Sequence, residues 1–395
     1  IKFLLKILIS VMYLFSNEIV ILNAAVTYYA LLSFVPMLII LGVVFQKIIF
    51  IFPETLDIVD AMMKSIHFAY LDSFDLYDMM SVSKGVGFGV FGFITIFFTS
   101  TLFLRSINKV FKKIFRIREL KETILHSLIP FMLYFAFLFM ILITIIIKIM
   151  LVTIEKFLVF YLDIDFSGIL DKLGELSVVP VVIFFVLFFV AYYFLSMRRI
   201  SLFNSLKVSL YFMISLYFLN MSFKYFYNVS FYNAVYGALS SIVITLAYIF
   251  MFFLLFIFWA QYGYVDRNYN GVVIKIFFEE AVKNPNSFLV NYLSKLLKGN
   301  VVRLDRDEKL NLKKYAQDFA VVLDGSFEIV GEDGLPIYIN KFDFFNLSDI
   351  SDNVSLCATE NSLLLLISMQ QREFLNNDSA VASGIFMSNE KMLIV

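Results

Sequence analysis

Long apolar runs alternate with short polar segments through the first two-thirds of the chain, and then the texture changes. Six apolar stretches fall at about 19–45, 86–106, 127–151, 177–196, 208–228 and 237–261. Each offers the roughly 20 residues that an α-helix needs to cross the hydrocarbon core of a bilayer. Ahead of them, Lys2, Lys6, Ser10 and Tyr13 recur at spacings of three and four among Leu, Ile and Phe. One polar stripe on an otherwise apolar helix suits residues 1–15 to the membrane interface. An extension of the first span is the alternative. Pro36 removes a backbone donor inside the first span and predicts a kink there. Pro130 and Pro180 stand near the ends of their spans, where proline is better tolerated.

After Tyr264 the pattern is mixed. Residues 266–300 read as a cytoplasmic helical linker with a break at Asn284-Pro285-Asn286. From about Val301 the runs shorten to strand length: Phe319–Leu323, Ser326–Val330, Pro336–Asn340, Val354–Ala358 and Leu363–Ser368. Asp324-Gly325 and Asp333-Gly334 are turn signals between them. The expected organisation is an all-α polytopic membrane domain over 1–265, the linker over 266–300, and a small antiparallel β domain over 301–395.

Charge gives the spans a direction. The segment Ile107–Leu125, read as a loop, holds Lys109, Lys112, Lys113, Arg116, Arg118 and Lys121. The connection before it, Phe52–Lys84, carries Glu54, Asp57, Asp60, Asp72, Asp75 and Asp78. Lys and Arg concentrate in cytoplasmic loops. With the N-terminus inside, the inner segments hold Lys2 and Lys6, the six basic residues above, and Arg198, Arg199 and Lys207. The outer loops hold Lys64 and Lys84, then Lys156 and Lys172, and none in 229–236. The bias predicts both termini in the cytoplasm and an even number of spans.

Composition agrees: 61% of the 395 residues are hydrophobic and 16% charged, against about 45–50% and about 25% in soluble domains. Cys357 is the single cysteine, which rules out an intrachain disulfide. No small-x-small cleavage site follows the opening apolar stretch, so a removed signal peptide is not expected. Residues 301–395 hold 8 Lys/Arg against 15 Asp/Glu, and such an acidic domain would repel nucleic-acid phosphates.

Catalytic chemistry has little to stand on. A hydrolytic site needs a convergent base, nucleophile or metal set. The two histidines, His67 and His126, fall on opposite membrane faces in this topology. Cys357 lies in a strand and reads as a small buried hydrophobe. No GxGxxG, Walker loop, HExxH or CxxC occurs. No catalytic residue, metal or cofactor is expected, and the acidic outer loops read as solvated faces.

Ionisable residues within spans are functional candidates. Arg105, Lys148 and Lys224 qualify, each near a span end where basic side chains reach back to headgroups. Lys224 shares a helix face with Asn220 and Asn228 at four-residue spacing. That stripe should face protein or water, so Arg105, Asn220, Lys224 and Asn228 are the transport-path candidates. Asn23 and Gln261 read as interface-level polar residues or helix–helix contacts. The 49 Phe and 22 Tyr restate membrane residence, and would equally line an acyl cavity or pack helices.

The stretch Asn23-Ala24-Ala25-Val26-Thr27-Tyr28-Tyr29-Ala30-Leu31-Leu32-Ser33-Phe34-Val35-Pro36 resembles the opening signature of the YihY/BrkB family of bacterial inner-membrane proteins. Ser106-Ile107-Asn108-Lys109-Val110-Phe111 is similar to that family's Leu-Asn-Arg-Ile-Trp stretch. Tyr232-Asn233-Ala234-Val235-Tyr236-Gly237-Ala238-Leu239 is similar to its Tyr-x-x-x-Tyr-Gly-Ser/Ala-Leu. The motif positions are Asn23, Tyr28, Tyr29, Ser33, Pro36, Asn108, Tyr236 and Gly237, and order and spacing agree over about residues 1–265. Where the family has Gly-Ala-Glu, this chain has Trp259-Ala260-Gln261, so a role resting on that carboxylate does not transfer. The resemblance implies six transmembrane helices and the bacterial cytoplasmic (inner) membrane. Members have been labelled ribonuclease BN, tied to serum resistance or proposed to move lipids.

The stretch Phe319–Ile329 resembles the opening strand–Gly–strand of a cyclic-nucleotide-binding β-roll, with Asp343-Phe344-Phe345 where the phosphate cassette begins. The resemblance implies a small cytoplasmic antiparallel β-roll. Asn346-Leu347 stands in place of the cassette's Gly-Glu, and Asp352 near its Arg.

Two functions of different class follow. One is a transporter or flippase-like exporter of a lipid or amphiphile, regulated by the cytoplasmic domain. The other is a non-transporting scaffold that docks a cytoplasmic protein through 301–395. Membrane lipids are the expected partners, nucleic acid is not, and homo-oligomerisation stays open.

The β-roll should not bind cAMP or cGMP. Losing the phosphate-binding Arg forfeits a charge-assisted hydrogen bond of about 1.5–3 kcal/mol, and Asp352 adds repulsion. Calorimetric titration of either nucleotide into the purified protein should give no saturable heat; micromolar binding would overturn this reading.

Overall fold

Two compact units divide the chain, Ile1–Arg267 and Asn268–Val395. The computed structural model describes residues 2–16, 18–33, 89–116, 178–226, 240–297, 299–310, 318–330, 336–347 and 356–388. Outside them lie Pro36, the acidic Phe52–Lys84 connection, both histidines, the 127–151 span with Lys148, Asn228, the Tyr232–Leu239 motif and Asp352.

The described part of unit 1 is helical: α1 (Lys2–Ser16), α2 (Ile19–Ser33), α3 (Gly89–Phe115), α4 (Val178–Leu195), α5 (Leu202–Phe226) and α6 (Ser240–Arg267). Among the described residues two helices are long and apolar enough to cross a membrane, over Leu202–Phe223 and Val243–Arg267. The axes of α1 and α2 meet at 72°, with Glu18 in the left-handed region at φ 54° between them.

Three helices outrun their apolar stretches. The apolar pattern stops near Ile107 and predicts a loop there, but α3 continues to Phe115, so Lys109, Lys112 and Lys113 are helical. Likewise α5 starts at Leu202, ahead of Lys207, and α6 continues to Arg267. Backbone hydrogen bonding propagates a helix into water once it has formed, while the apolar run stops where lipid stops.

Aromatic rings lock α4, α5 and α6 together. Phe188 meets Phe212 edge-on at 4.6 Å, and Tyr192 lies 4.7 Å from Phe256. The buried Tyr192 hydroxyl donates to the Phe256 carbonyl at 2.9 Å, so the ring adds a hydrogen bond to its packing. Gly263 permits close approach: a Cβ there would stand 3.0 Å from Ile200 Cδ1 and 3.2 Å from Val208 Cγ2. The α4–α5 turn is a Schellman motif. Arg198 N–H donates to Tyr193 O and Met197 N–H to Phe194 O, with Met197 at φ 52° where glycine is usual.

Unit 2 opens with α7 (Tyr269–Lys283) and α8 (Phe288–Leu296). Eight strands follow: β1 (Val301–Leu304), β2 (Lys309–Leu310), β3 (Phe319–Asp324), β4 (Phe327–Val330), β5 (Pro336–Ile339), β6 (Phe344–Asn346), β7 (Leu356–Ala358) and β8 (Ser362–Ile367). They form two four-stranded antiparallel sheets in the orders β1-β8-β3-β6 and β2-β7-β4-β5. That interleaving is a jelly roll, in which two Greek keys close over one core. The core between the sheets includes Val322, Phe327, Ile329, Phe345, Leu356, Leu364 and Leu366. Helices α9 (Met369–Asp378) and α10 (Ala380–Ser388) complete the unit.

β8 is buried along its whole length. A strand covered on both faces loses its polar alternation, which is why this one reads Leu-Leu-Leu-Leu-Ile. Over that face Phe344 packs 5.0 Å from Phe386 of α10, which itself reaches Phe278 of α7 at 6.1 Å. The Arg372 guanidinium stacks 4.6 Å from both Phe319 and Phe344. Cys357 is half-buried, contrary to the buried position expected of it. In β7 Leu356 and Ala358 point into the core, so strand alternation turns Cys357 outward.

Asp324-Gly325 joins β3 of one sheet to β4 of the other, so it turns a corner between sheets and closes no hairpin. Gly325 adopts φ +82°, and an added Cβ would lie 2.2 Å from Ser362 Oγ and 2.8 Å from Ser362 Cα. Gly325→Ala should destabilise unit 2 by about 1–3 kcal/mol through left-handed strain and overlap. Hydrogen–deuterium exchange should speed up in β3 and β8 of that variant, and unchanged exchange would contradict the account.

Candidate functional site

Polar groups in unit 1 gather at two levels. The first is where α1, α5 and α6 meet. Asp266, in the last turn of α6, accepts from Lys6 Nζ of α1 and Lys207 Nζ of α5, each at 2.6 Å. Its side chain is 8% exposed, those of the lysines 20% and 30%. A carboxylate at a helix C-terminus opposes the macrodipole, and the two ammonium groups offset that. Around it Phe3 packs edge-on against Tyr211 and Tyr262 at 5.8 and 5.9 Å. Phe115 of α3 lies 6.0 Å from Tyr264, and Lys113 pairs with Glu18 at 3.6 Å. The N-terminal helix, the end of α3, the start of α5 and the end of α6 therefore share one end of the unit.

Asp266 carried no weight in the sequence reading. One signal was available: it is the single Asp or Glu between Glu175 and Glu279. A lone carboxylate over a hundred residues of membrane-like sequence needs countercharges, and Lys6 and Lys207 were already on the same predicted side.

The second level lies on the α5–α6 pair. Asn220 Oδ1 accepts a hydrogen bond from the Tyr248 hydroxyl. Both belong to helices of spanning length, and Asn220 stands on an exposed face beside Tyr217 and Met221. Tyr248 is 18 residues before Asp266, or about 27 Å along a helix, so the two levels are nearly a hydrocarbon core apart. Lys224 lies on α5 one turn beyond Asn220, and Arg105 on an exposed face of α3. Between the levels, Trp259 Nε1 donates to Ser215 Oγ at 2.9 Å.

The remaining motif positions are spread over helix contacts. Asn23 is buried, and its Nδ2 donates to Phe250 O at 3.1 Å, joining α2 to α6. Thr27 and Ser33 return their hydroxyls to Asn23 O and Ala30 O. Tyr28 is exposed and meets Tyr29 edge-on at 5.5 Å, while Asn108 is half-buried. Gln261 is buried on α6 with its Oε1 unpaired. Among the described residues, no three His, Cys, Asp or Glu side chains form a metal-binding group.

Residues 14–268 match the family described as Virulence factor BrkB. The chain belongs to this family. The BrkB match covers α2 through α6 and ends at residue 268, where unit 2 begins. It makes the chain a membrane protein, in keeping with the apolar helices. None of the curated proteins matches the chain significantly. Solved structures similar to it include a variant of CprK, at 14% identity over 25% of this chain and 52% of that one, with a TM-score of 0.19. A mutant of CooA from Carboxydothermus hydrogenoformans matches at 13% identity over 27% and 72%, TM-score 0.20. A transcriptional regulator from Thermotoga maritima matches at 21% identity over 24% and 84%, TM-score 0.16.

Removing one member of a buried ion pair costs about 3–5 kcal/mol, and partial exposure lowers the figure. Asp266→Asn leaves two lysines unpaired, whereas Lys6→Met or Lys207→Met leaves one pair standing. The melting temperature in detergent should fall further for Asp266→Asn than for either lysine variant. A fall for Asp266→Asn that equals one lysine variant, with the other lysine variant unchanged, would mean that only one of the two pairs matters.

Proposed function

We propose that this BrkB-family protein moves a lipid or related amphiphile across the bacterial inner membrane. In this reading 1–265 form the membrane domain and 301–395 a cytoplasmic regulatory domain. Both termini are cytoplasmic, so the Lys6–Asp266–Lys207 level faces the cytoplasm and the Asn220–Tyr248 level the opposite leaflet.

One observation carries the transport reading: a hydrogen-bonded Asn–Tyr pair on an exposed face of two helices of spanning length. Amides turned to hydrocarbon are disfavoured unless water or headgroups reach them. Lys224 lies one turn further along α5, just past the apolar span, at the depth where basic side chains meet headgroups. A polar stripe bordered by Tyr217 and Met221 suits a molecule whose headgroup follows the stripe while its acyl chains stay in lipid. Arg105 on α3 is a second basic candidate along the path. The family's proposed link to lipid movement agrees with this reading.

The test is reconstitution in vesicles carrying a headgroup-labelled phospholipid, with translocation followed by a membrane-impermeant quencher. Wild-type protein should speed translocation over protein-free vesicles. Lys224→Met and Asn220→Leu should each slow it about tenfold, or about 1.4 kcal/mol in barrier height, with melting temperatures nearly unchanged. Full activity in both variants would remove the stripe from the path. No acceleration by the wild type would end the transport reading and favour a scaffold that docks a cytoplasmic protein.

A further inference from the structure

Helix α8 is apolar on two sides. Its inner side is ordinary: Val290, Leu293 and Leu297 are buried in unit 2. Its outer side is not. Phe288, Leu289, Tyr292 and Leu296 are all exposed, Phe288 by 86%. At 3.6 residues per turn, these four fall within an arc of about 100° beside the buried edge. Single exposed apolar residues are normal on protein surfaces. Four on one stripe of a nine-residue helix form a patch, and such patches mark interaction surfaces.

The helix is held firmly enough to present that patch. Pro285 breaks the chain ahead of it, and Ser287 caps it by accepting from Val290 N–H at 3.2 Å. Losing such a cap typically costs about 1 kcal/mol.

We infer that the outer face of α8 lies in the headgroup region of the membrane that α6 crosses, and that its partner is an anionic lipid surface. Three observations select lipid. The first is charge. Residues 281–300 contain Lys283, Lys295 and Lys298 and no Asp or Glu, whereas 301–395 are acidic by 15 to 8. Lys283, in the last turn of α7, and Lys295, one residue before Leu296, are both exposed. An acidic roll is repelled by anionic headgroups, so this basic edge is the part of unit 2 that can approach them.

The second is composition. Phe, Leu and Tyr flanked by Lys is the pattern of interfacial helices, in which rings and aliphatic chains enter the acyl boundary and ammonium groups meet phosphates. The third is reach. α6 ends at Arg267 and α8 starts at Phe288, with α7 filling Tyr269–Lys283 between them. A 15-residue helix is about 22 Å long, and the links to α6 and α8 add the remainder when fully extended. The start of the patch, Phe288, therefore stays within about 45 Å of the end of a membrane-crossing helix. Tethering at that distance raises effective concentration enough for a small patch to remain bound. The inference rests on membrane insertion of α6 and is independent of transport activity.

The test uses the full chain with Cys357→Ser as background, so that each new cysteine is unique. Phe288→Cys, Tyr292→Cys and Leu296→Cys are compared with Arg306→Cys, whose native side chain is 75% exposed in unit 2. Each variant carries a small fluorophore and is placed in nanodiscs containing phosphatidylglycerol. Brominated acyl chains should quench the three α8 labels several-fold more than the Arg306 label, and aqueous iodide should show the reverse order. Discs of phosphatidylcholine alone should reduce the lipid quenching. Iodide quenching at α8 equal to that at Arg306 would overturn the proposal. So would labels shielded from both quenchers, which would indicate protein covering the patch. Three separate sites guard against one variant that misfolds, and an unlabelled Cys357→Ser control reports folding by gel filtration.

Discussion

A charge near hydrocarbon must find its opposite, and in unit 1 that requirement is met at Asp266. The carboxylate terminates the most apolar of the spanning helices, at its unfavourable dipole end. Lys6 and Lys207 satisfy it from two other helices. Each contact also fixes geometry: α1 is drawn across the end of the unit, and α5 is set in register with α6. The aromatic contacts further along the pair, Tyr211 with Trp259 and Phe212 with Phe256, then fall opposite one another. Packing against lipid offers helices little net drive to associate, since acyl chains are as apolar as Leu. A charge triad and hydrogen bonds such as Tyr192 to Phe256 O therefore choose the register, and the rings fill in around it.

What the sequence made legible follows from the same physics. The apolar runs at 177–196, 208–228 and 237–261 announced α4, α5 and α6, of which α5 and α6 are long and apolar enough to span a membrane. Their ends were less legible. Hydropathy reports where lipid stops, while Lys109–Lys113 and Asp266–Arg267 belong to turns that continue into the polar region. In unit 2 the fully buried β3 and β8 stood out as unbroken apolar runs. β1, β2 and β6 did not, because Val301–Leu304 alternates with exposed charge and Lys309–Leu310 has only two residues. Cys357 was misplaced for want of register: only pairing with Glu328 and Lys309 decides which way a residue between Leu356 and Ala358 points.

The candidate site was legible in outline. Asn220 and Lys224 were visible as a stripe from spacing alone, but the Tyr248 partner comes from another helix and no spacing rule finds it. Asp266 was hidden by a boundary drawn five residues early. The motif residues Asn23 and Ser33 turn out to join or stabilise helices through backbone carbonyls.

The order of strands in the roll has a consequence for how it is made. β8 is the last of the eight described strands along the chain, yet it lies between β1 and β3 in the middle of its sheet. Until Ile367 has left the ribosome, β1 has no partner in that sheet, and β3 exposes one edge to solvent. Half of the jelly roll therefore waits for six residues. That Leu-rich strand must enter a gap already flanked by neighbours, and by then the membrane helices upstream have had time to insert.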